Sequence, residues 1–309
     1  MFKTLLVICG IFLLSAFVAL RTGEFLQNKA LLSPVLGVTR HQVSQNVWYP
    51  KVEEIKPGMF NDAPDITAIS ALFIESNSGQ VLYAKNPEQE LSIASLTKIM
   101  TTIVALENRN MNDVFSISKQ ASEMEPDKMF LIAGEKMTLE ELLQGIFLVS
   151  ANDAAEAIAE NTTGRREEFI NMMNAKARAL GMNNTYFLNP SGLEEDFAKQ
   201  YSTALDVAVM SRYLVHTFPD VVNISSQPRI YIEPTVFHQD YDMNNGINLL
   251  TTYPGVLGLK TGYTPEAGLT LVTLARRENN EVIGVLLGAV NRRDDAKALL
   301  DYSFKKLGL

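Results

Sequence analysis

At 309 residues the chain can hold one large domain or two small ones, and with 47% hydrophobic and 20% charged residues it can bury a sizeable core. A net charge of −8, without a basic stripe interleaved with aromatics, excludes general nucleic-acid binding. The single cysteine, Cys9, lies in an apolar N-terminal run, and His41, His216 and His238 are scattered without ligand spacing, so no disulfide, thiol nucleophile, metal or other cofactor is expected.

Residues 5–20 are mostly apolar and uncharged, between Lys3 and Arg21. Such a run is long for a signal-peptide core and short for a comfortable span. Residues 1–21 are therefore read as a signal peptide or an N-terminal membrane anchor. Phe17 and Leu14 occupy the positions where a peptidase wants small residues before Ala19 and Ala16, which favours an uncleaved anchor in the cytoplasmic membrane. Either reading exports the remainder.

Residues 22–65 are polar and mixed, with Pro34, Pro50, Pro57 and Pro64 and no periodicity, as in a stalk or lead-in. A globular domain follows over 66–309. Residues 69–75 and 80–84, separated by Asn77-Ser78-Gly79, predict a β-hairpin. Ile99, Met100, Ile103, Val104 and Leu106 then recur at helical spacing, with Ser95 near the start of that helix. Alternation over 114–119 predicts a short extended segment. Thr138 with Glu141 forms a capping box ahead of the apolar face Leu139, Leu142, Leu143, Ile146 and Phe147.

A second helix is expected over 154–160, capped by Asn152 or Asp153. Another runs over 169–180 and stops at Gly181, and 203–218 is helical up to Pro219, after a loop-rich stretch over 183–202. The runs 256–260, 269–275 and 282–287 predict strands, the last two adjacent and antiparallel; 294–306 closes as a helix. The fold class is α+β: an antiparallel sheet built from both ends of the domain, flanked by helices, with a mainly helical subdomain between them.

Three polar motifs carry chemistry. Ser95 and Lys98 lie one turn apart on one helical face, a nucleophile and base pairing. The spacing alone is weak, because 18 serines and 15 lysines give about one such pair by accident. Ser116/Lys119 and Ser303/Lys306 share it, but only Ser95/Lys98 opens a long apolar helical run. Ser150-Ala151-Asn152 sits between two helices, although each residue alone reads as a cap, and Ser44-Gln45-Asn46 repeats the pattern in the lead-in. Lys260-Thr261-Gly262 ends an apolar strand, and such a triplet arises by chance about one time in ten. For Lys98 to act as base its pKa must fall from about 10.4 to about 7, roughly 4–5 kcal/mol of differential interaction, which burial, and the charge of Lys260 if the fold brings it close, would supply.

In this order, the motifs resemble those of the low-molecular-weight penicillin-binding proteins, the serine-type D-alanyl-D-alanine carboxypeptidases of peptidase family S11. The likeness runs from about Ile69 to Leu309. It includes Ser95-Leu96-Thr97-Lys98, Met129-Phe130-Leu131 with Gly134, Ser150-Ala151-Asn152-Asp153-Ala154, Gly181-Met182 with Asn184-Thr185, and Gly258 to Thr264. The resemblance implies the DD-peptidase/β-lactamase-like fold. It also implies an acyl-enzyme on Ser95, formed with peptidoglycan stem peptides ending in D-Ala-D-Ala or with β-lactam antibiotics. Ser150 would pass a proton to the departing amine, Asn152 would bind the substrate backbone, and Lys260 and Thr261 would receive its terminal carboxylate. Gly262 would let the substrate lie close to the strand. The backbone N–H groups of Ser95 and Tyr263 would form the oxyanion hole, with Tyr263 where the family commonly has His.

Three rival functions share parts of this pattern. A β-lactamase of the Ser-Asp-Asn type would carry a deacylating glutamate, which the stretch 192–196 does not resemble, so slow release of penicillin is expected. A D,D-endopeptidase shares every motif. A non-catalytic penicillin sensor would not need the full set. Many relatives carry a C-terminal β-domain; with the chain stopping at Leu309, membrane attachment is expected through the N-terminus.

Overall fold

The hairpin expected near residue 70 forms as β1 (Ser70–Glu75) and β2 (Val81–Lys85), and it is the outer half of a larger sheet. The computed structural model describes residues 48–195 and 199–309, which fall within one compact unit. The apolar segment 1–21, most of the lead-in and the Ser44-Gln45-Asn46 copy lie outside the described residues. From the far end come β7 (Val256–Thr264), β8 (Gly268–Arg277) and β9 (Asn280–Ala289), giving the order β2-β1-β9-β8-β7, antiparallel throughout. Both ends of the domain therefore make one sheet, as expected. The β8–β9 turn is tighter than the apolar runs indicated, because Arg276 still pairs with Glu281, and their side chains meet at 2.6 Å.

Both faces of the sheet are buried, which explains why its strands read as continuous apolar runs. On one face Ala71, Phe73, Leu271 and Leu286 pack with Leu299, Leu300 and Phe304 of the last helix, α9 (Arg292–Lys306). On the other, Leu72, Ile74, Val272, Leu274, Ile283 and Val285 join the core of the helical subdomain. Its central member is α1 (Thr97–Asn108), in which every residue from Thr97 to Ala105 is buried.

Lys119 begins a single turn, α2 (Lys119–Ser122). The capping box at Thr138 and Glu141 forms with both hydrogen bonds and opens α3 (Leu139–Leu148). α4 (Asn152–Thr163) starts earlier than expected. Its N-cap is Ala151, and Asn152 and Asp153 are its first two residues, not its cap. α5 (Arg166–Ala179) ends before Gly181, and α6 (Ala204–Thr217) is capped by Thr203. Pro219, expected as a stop, caps a further short helix, α7 (Asp220–Ser225). β3 (Val114–Ser116) pairs with β4 (Lys136–Thr138), and β5 (Arg229–Ile232) with β6 (Tyr241–Asn244). A short turn, α8 (Leu249–Thr252), precedes β7.

Residues 48–66 are packed onto the domain. Trp48 lies against the Arg212 guanidinium at 4.1 Å, and Phe60 sits 5.6 Å from the Tyr83 ring. Among the described residues no helix is long and apolar enough to cross a membrane.

Candidate active site

Ser95 sits in a 3-10 turn, Ala94–Leu96, just before α1, and Ala94 adopts φ +48°. A side chain at positive φ costs about 1–3 kcal/mol and persists only where its surroundings enforce it. Among the described residues, three of the five non-glycine residues at positive φ, Ala94, Phe130 and Ser150, flank this site. The strain is concentrated where the three polar motifs meet.

Lys98, in the first turn of α1, is fully buried. Its Nζ contacts Ser95 Oγ at 3.0 Å, Asn152 Oδ1 at 2.7 Å and the Ser191 carbonyl oxygen at 2.6 Å. Two of these partners can only accept hydrogen bonds. A neutral amine has two N–H groups and one lone pair; with both N–H groups donated to Asn152 and Ser191, the lone pair faces the Ser95 hydroxyl. Burial first, and then repulsion from the Lys260 ammonium, hold Lys98 well below the usual lysine pKa. Geometry and charge together favour the form that can take a proton from Ser95.

The third contact depends on a turn over 189–192. Asn189 Oδ1 accepts the N–H groups of Ser191 at 3.2 Å and Gly192 at 2.7 Å, fixing the Ser191 carbonyl. Gly192 has φ +89°, and a Cβ there would lie 2.0 Å from the Ala94 carbonyl oxygen. Gly192→Ala is expected to cost more than about 2 kcal/mol in urea unfolding and to slow acylation of Ser95. Unchanged stability and labelling rate would contradict this packing.

Lys260 lies in the middle of β7, which continues to Thr264; it is not the strand-end charge the sequence implied. It is buried, and its Nζ donates to the Thr261 carbonyl at 2.7 Å. Burial, followed by the charge of Arg292, lowers its pKa to about 7. Arg292 at the start of α9 clamps this strand, donating to Gly262 O at 2.7 Å and Thr270 O at 3.2 Å. A Cβ at Gly262 would meet Ser95 N at 2.8 Å and Thr270 Oγ1 at 2.6 Å. The glycine thus first makes room for the chain's own nucleophile turn. Thr261 is half-buried, and Tyr263 turns its ring outward at 62% exposure.

On the other wall, Asn152 donates its backbone N–H to Asp127 O at 2.7 Å and Nδ2 to Glu125 O at 3.2 Å. Asp153 accepts the N–H groups of Met129 (3.1 Å) and Leu131 (3.0 Å), holding Phe130 at φ +68°. Ser150 Oγ is buried without a hydrogen-bond partner, and the structure does not link it directly to Lys98. Glu194 accepts from Ser92 Oγ at 2.5 Å and Thr264 Oγ1 at 3.3 Å. Ser116 and Ser303 lie outside the cluster, in β3 and α9.

A profile of the D-alanyl-D-alanine carboxypeptidase family, peptidase S11, matches residues 58–291. The chain belongs to this family. It is 38% identical over 247 residues to the D-alanyl-D-alanine carboxypeptidase DacF of Bacillus subtilis, covering 77% of this chain and 62% of that protein. It is 32% identical over 259 residues to a Streptomyces D-alanyl-D-alanine carboxypeptidase, covering 78% and 88%. The chain thus spans about three fifths of the length of several curated relatives it matches. Among solved structures it resembles a D-alanyl-D-alanine carboxypeptidase from Mycobacterium tuberculosis, with TM-score 0.75, 29% identity and coverage of 82% and 96%. A Streptomyces DD-transpeptidase superposes with TM-score 0.74 at 30% identity, over 79% and 99% of the two chains. The DD-peptidase fold that the motifs implied is the fold observed.

Proposed function

We propose that this member of the family is a serine D-alanyl-D-alanine carboxypeptidase that removes the terminal D-Ala from peptidoglycan stem peptides. The observation that carries this reading is the fully buried Lys98 Nζ, its pKa lowered by burial, 3.0 Å from Ser95 Oγ. Lys98 takes the hydroxyl proton as Ser95 Oγ attacks the carbonyl carbon of the penultimate D-Ala. The oxyanion is met by the N–H groups of Ser95 and Tyr263. Asn152 aligns the peptide, while Lys260 and Thr261 hold its terminal carboxylate, with Gly262 keeping the strand flat beside it. The proton passes from Lys98 through Ser150 to the leaving amine nitrogen, the C–N bond breaks, and D-Ala departs. That role accounts for an otherwise orphaned Ser150 hydroxyl. Water then hydrolyses the ester on Ser95.

A β-lactam acylates the same serine, but its amine stays tethered, and release is slow. The protein acts outside the cytoplasmic membrane, exported and held there by the apolar segment 1–21. Incubation with a peptide ending in D-Ala-D-Ala should release D-Ala continuously. A single stoichiometric acylation without turnover would overturn the enzymatic reading in favour of a sensor.

A further inference from the structure

Between the nucleophile turn and the end of β7 stands a carboxylate to which the reaction gives no task. Ser92 Oγ donates to Glu194 Oε1 at 2.5 Å, and Thr264 Oγ1 donates to the same oxygen at 3.3 Å. Ser92 lies three residues before Ser95, and Thr264 follows Tyr263 as the last residue of β7. The Thr264 hydroxyl accepts the Ala267 N–H at 3.0 Å, which leaves its own proton for Glu194. One carboxylate oxygen thus holds together the two segments that carry the N–H groups of Ser95 and Tyr263. Hydroxyl-to-carboxylate bonds of about 2.5–2.7 Å are roughly twice as strong as neutral ones, and the Ser92 contact has that length.

Glu194 is itself held in place. The Leu193 carbonyl accepts Asn189 Nδ2 at 2.8 Å and Gln200 Nε2 at 2.7 Å. On the other side, Glu195 accepts Asn189 Nδ2 at 3.2 Å and faces the Arg166 guanidinium at 3.9 Å. Gly192 lies so close against the nucleophile turn that a Cβ there would meet Ser95 N at 3.0 Å. From the sheet, Thr270 Oγ1 donates to the Ile93 carbonyl at 3.2 Å. The turn is therefore pinned from two directions, by β8 at Ile93 and by Glu194 at Ser92.

We propose that Glu194 is a positioning residue for acyl transfer, setting the separation of the Ser95 and Tyr263 N–H groups by drawing Ser92 and Thr264 onto one oxygen. This role rests on the peptidase reading and acts through its oxyanion hole. The hole binds the charge that develops in the transition state, so an error in its width is felt in kcat more than in KM.

The experiment follows D-Ala release from a peptide ending in D-Ala-D-Ala, and the rate of labelling by fluorescent penicillin, in the full chain. Glu194→Ala should lower kcat about 10- to 100-fold and leave KM within about twofold of the wild type. Labelling should slow by a similar factor. Glu194→Gln keeps an acceptor oxygen and should restore kcat to within about threefold of the wild type. Ser92→Ala removes the shorter bond and should also slow labelling, and adding it to Glu194→Ala should slow labelling little further. Glu266→Gln, an equal charge change on the exposed turn after β7, should match the wild type. Wild-type kcat in Glu194→Ala overturns the assignment, as does Glu194→Gln being as slow as Glu194→Ala. Glu194→Gln labelling at the wild-type rate but stopping after one acylation also overturns it, because the carboxylate would then act on water. Should Glu194→Ala not fold, Ser92→Ala takes its place, and an unchanged labelling rate there overturns the assignment. Wild-type protein that labels but releases no D-Ala removes the peptidase reading, while the labelling rates still decide the role of Glu194.

Discussion

Ser95→Ala should abolish covalent labelling by fluorescent penicillin and release of D-Ala, lowering both by at least about a thousandfold. Nothing else within reach of the Lys98 amine can replace the lost hydroxyl, since its other two partners are an amide oxygen and a backbone carbonyl. The fold should survive. Ser95 Oγ makes one hydrogen bond, to Lys98, so unfolding free energy should change by only about 1 kcal/mol. Ser116→Ala and Ser303→Ala share the Ser-x-x-Lys spacing but lie in β3 and α9, and both should label like the wild type. Label retained in Ser95→Ala, or lost in either of the others, would displace the nucleophile assignment.

A second large effect concerns stability against pH. Lys260 has its pKa lowered from 10.5 to about 7 on folding, and Lys98 is shifted the same way. Between about pH 7 and 10 the unfolded chain therefore binds more protons than the native one, and stability rises with pH. Below pH 7 both states hold the Lys260 proton, and the native state carries the full cost, on the order of 4–5 kcal/mol for this group. From pH 7 to pH 9 the relief amounts to about 2 kcal/mol from Lys260 alone.

Above pH 10 the slope should reverse. Tyr49 is pushed up to about 12, and Tyr241, Tyr253 and Tyr302 are also raised, mainly by burial, so unfolding there releases phenolic protons that the native state retains. Urea unfolding across this range should show a maximum near pH 9–10. In Lys260→Met the rise from pH 7 to 9 should shrink by about 2 kcal/mol. An equal rise in that variant would show that folding does not lower the Lys260 pKa. The same burial that makes these lysines costly keeps Lys98 able to accept a proton. Stability is given up locally for reactivity.

The elements legible in the sequence were those with long apolar periods. α1, α3, α6 and the strands β7, β8 and β9 announce themselves because each buries a continuous face. The short pairs β3/β4 and β5/β6, of three and four residues per strand, are too brief for a period of two to stand out, and tertiary packing alone places them. Asn152 shows where residue type misleads. It is a favoured cap, yet its amide is committed to Lys98 and Glu125, so Ala151 takes the cap position. Lys260 misled in the opposite sense. A charge in an apolar run reads as a strand end, whereas the strand carries it through the interior to face another lysine.

At the site, spacing picked out Ser95, Lys98 and Asn152, whose side chains the fold brings together. It could not expose Ser191, which acts through its carbonyl, nor Asp153, whose carboxylate holds a loop by its backbone. The loop-rich stretch over 183–202 gave no sign of the turn over 189–192 or of what it holds. Arg292 likewise acts at a distance of some thirty residues from the strand it clamps, with no local pattern to mark it.

The joining of β1 to β9 has a consequence for how the protein is made. Ser70 pairs with Leu287, a separation of 217 residues (287 − 70). The nucleophile turn leaves the ribosome long before β7, whose Gly262 packs beside it. The pocket cannot close until nearly the whole domain has emerged and this distant pairing has formed, a topology that makes folding slow. The young chain therefore passes through its early life without an assembled pocket, which arrives together with completion of the sheet.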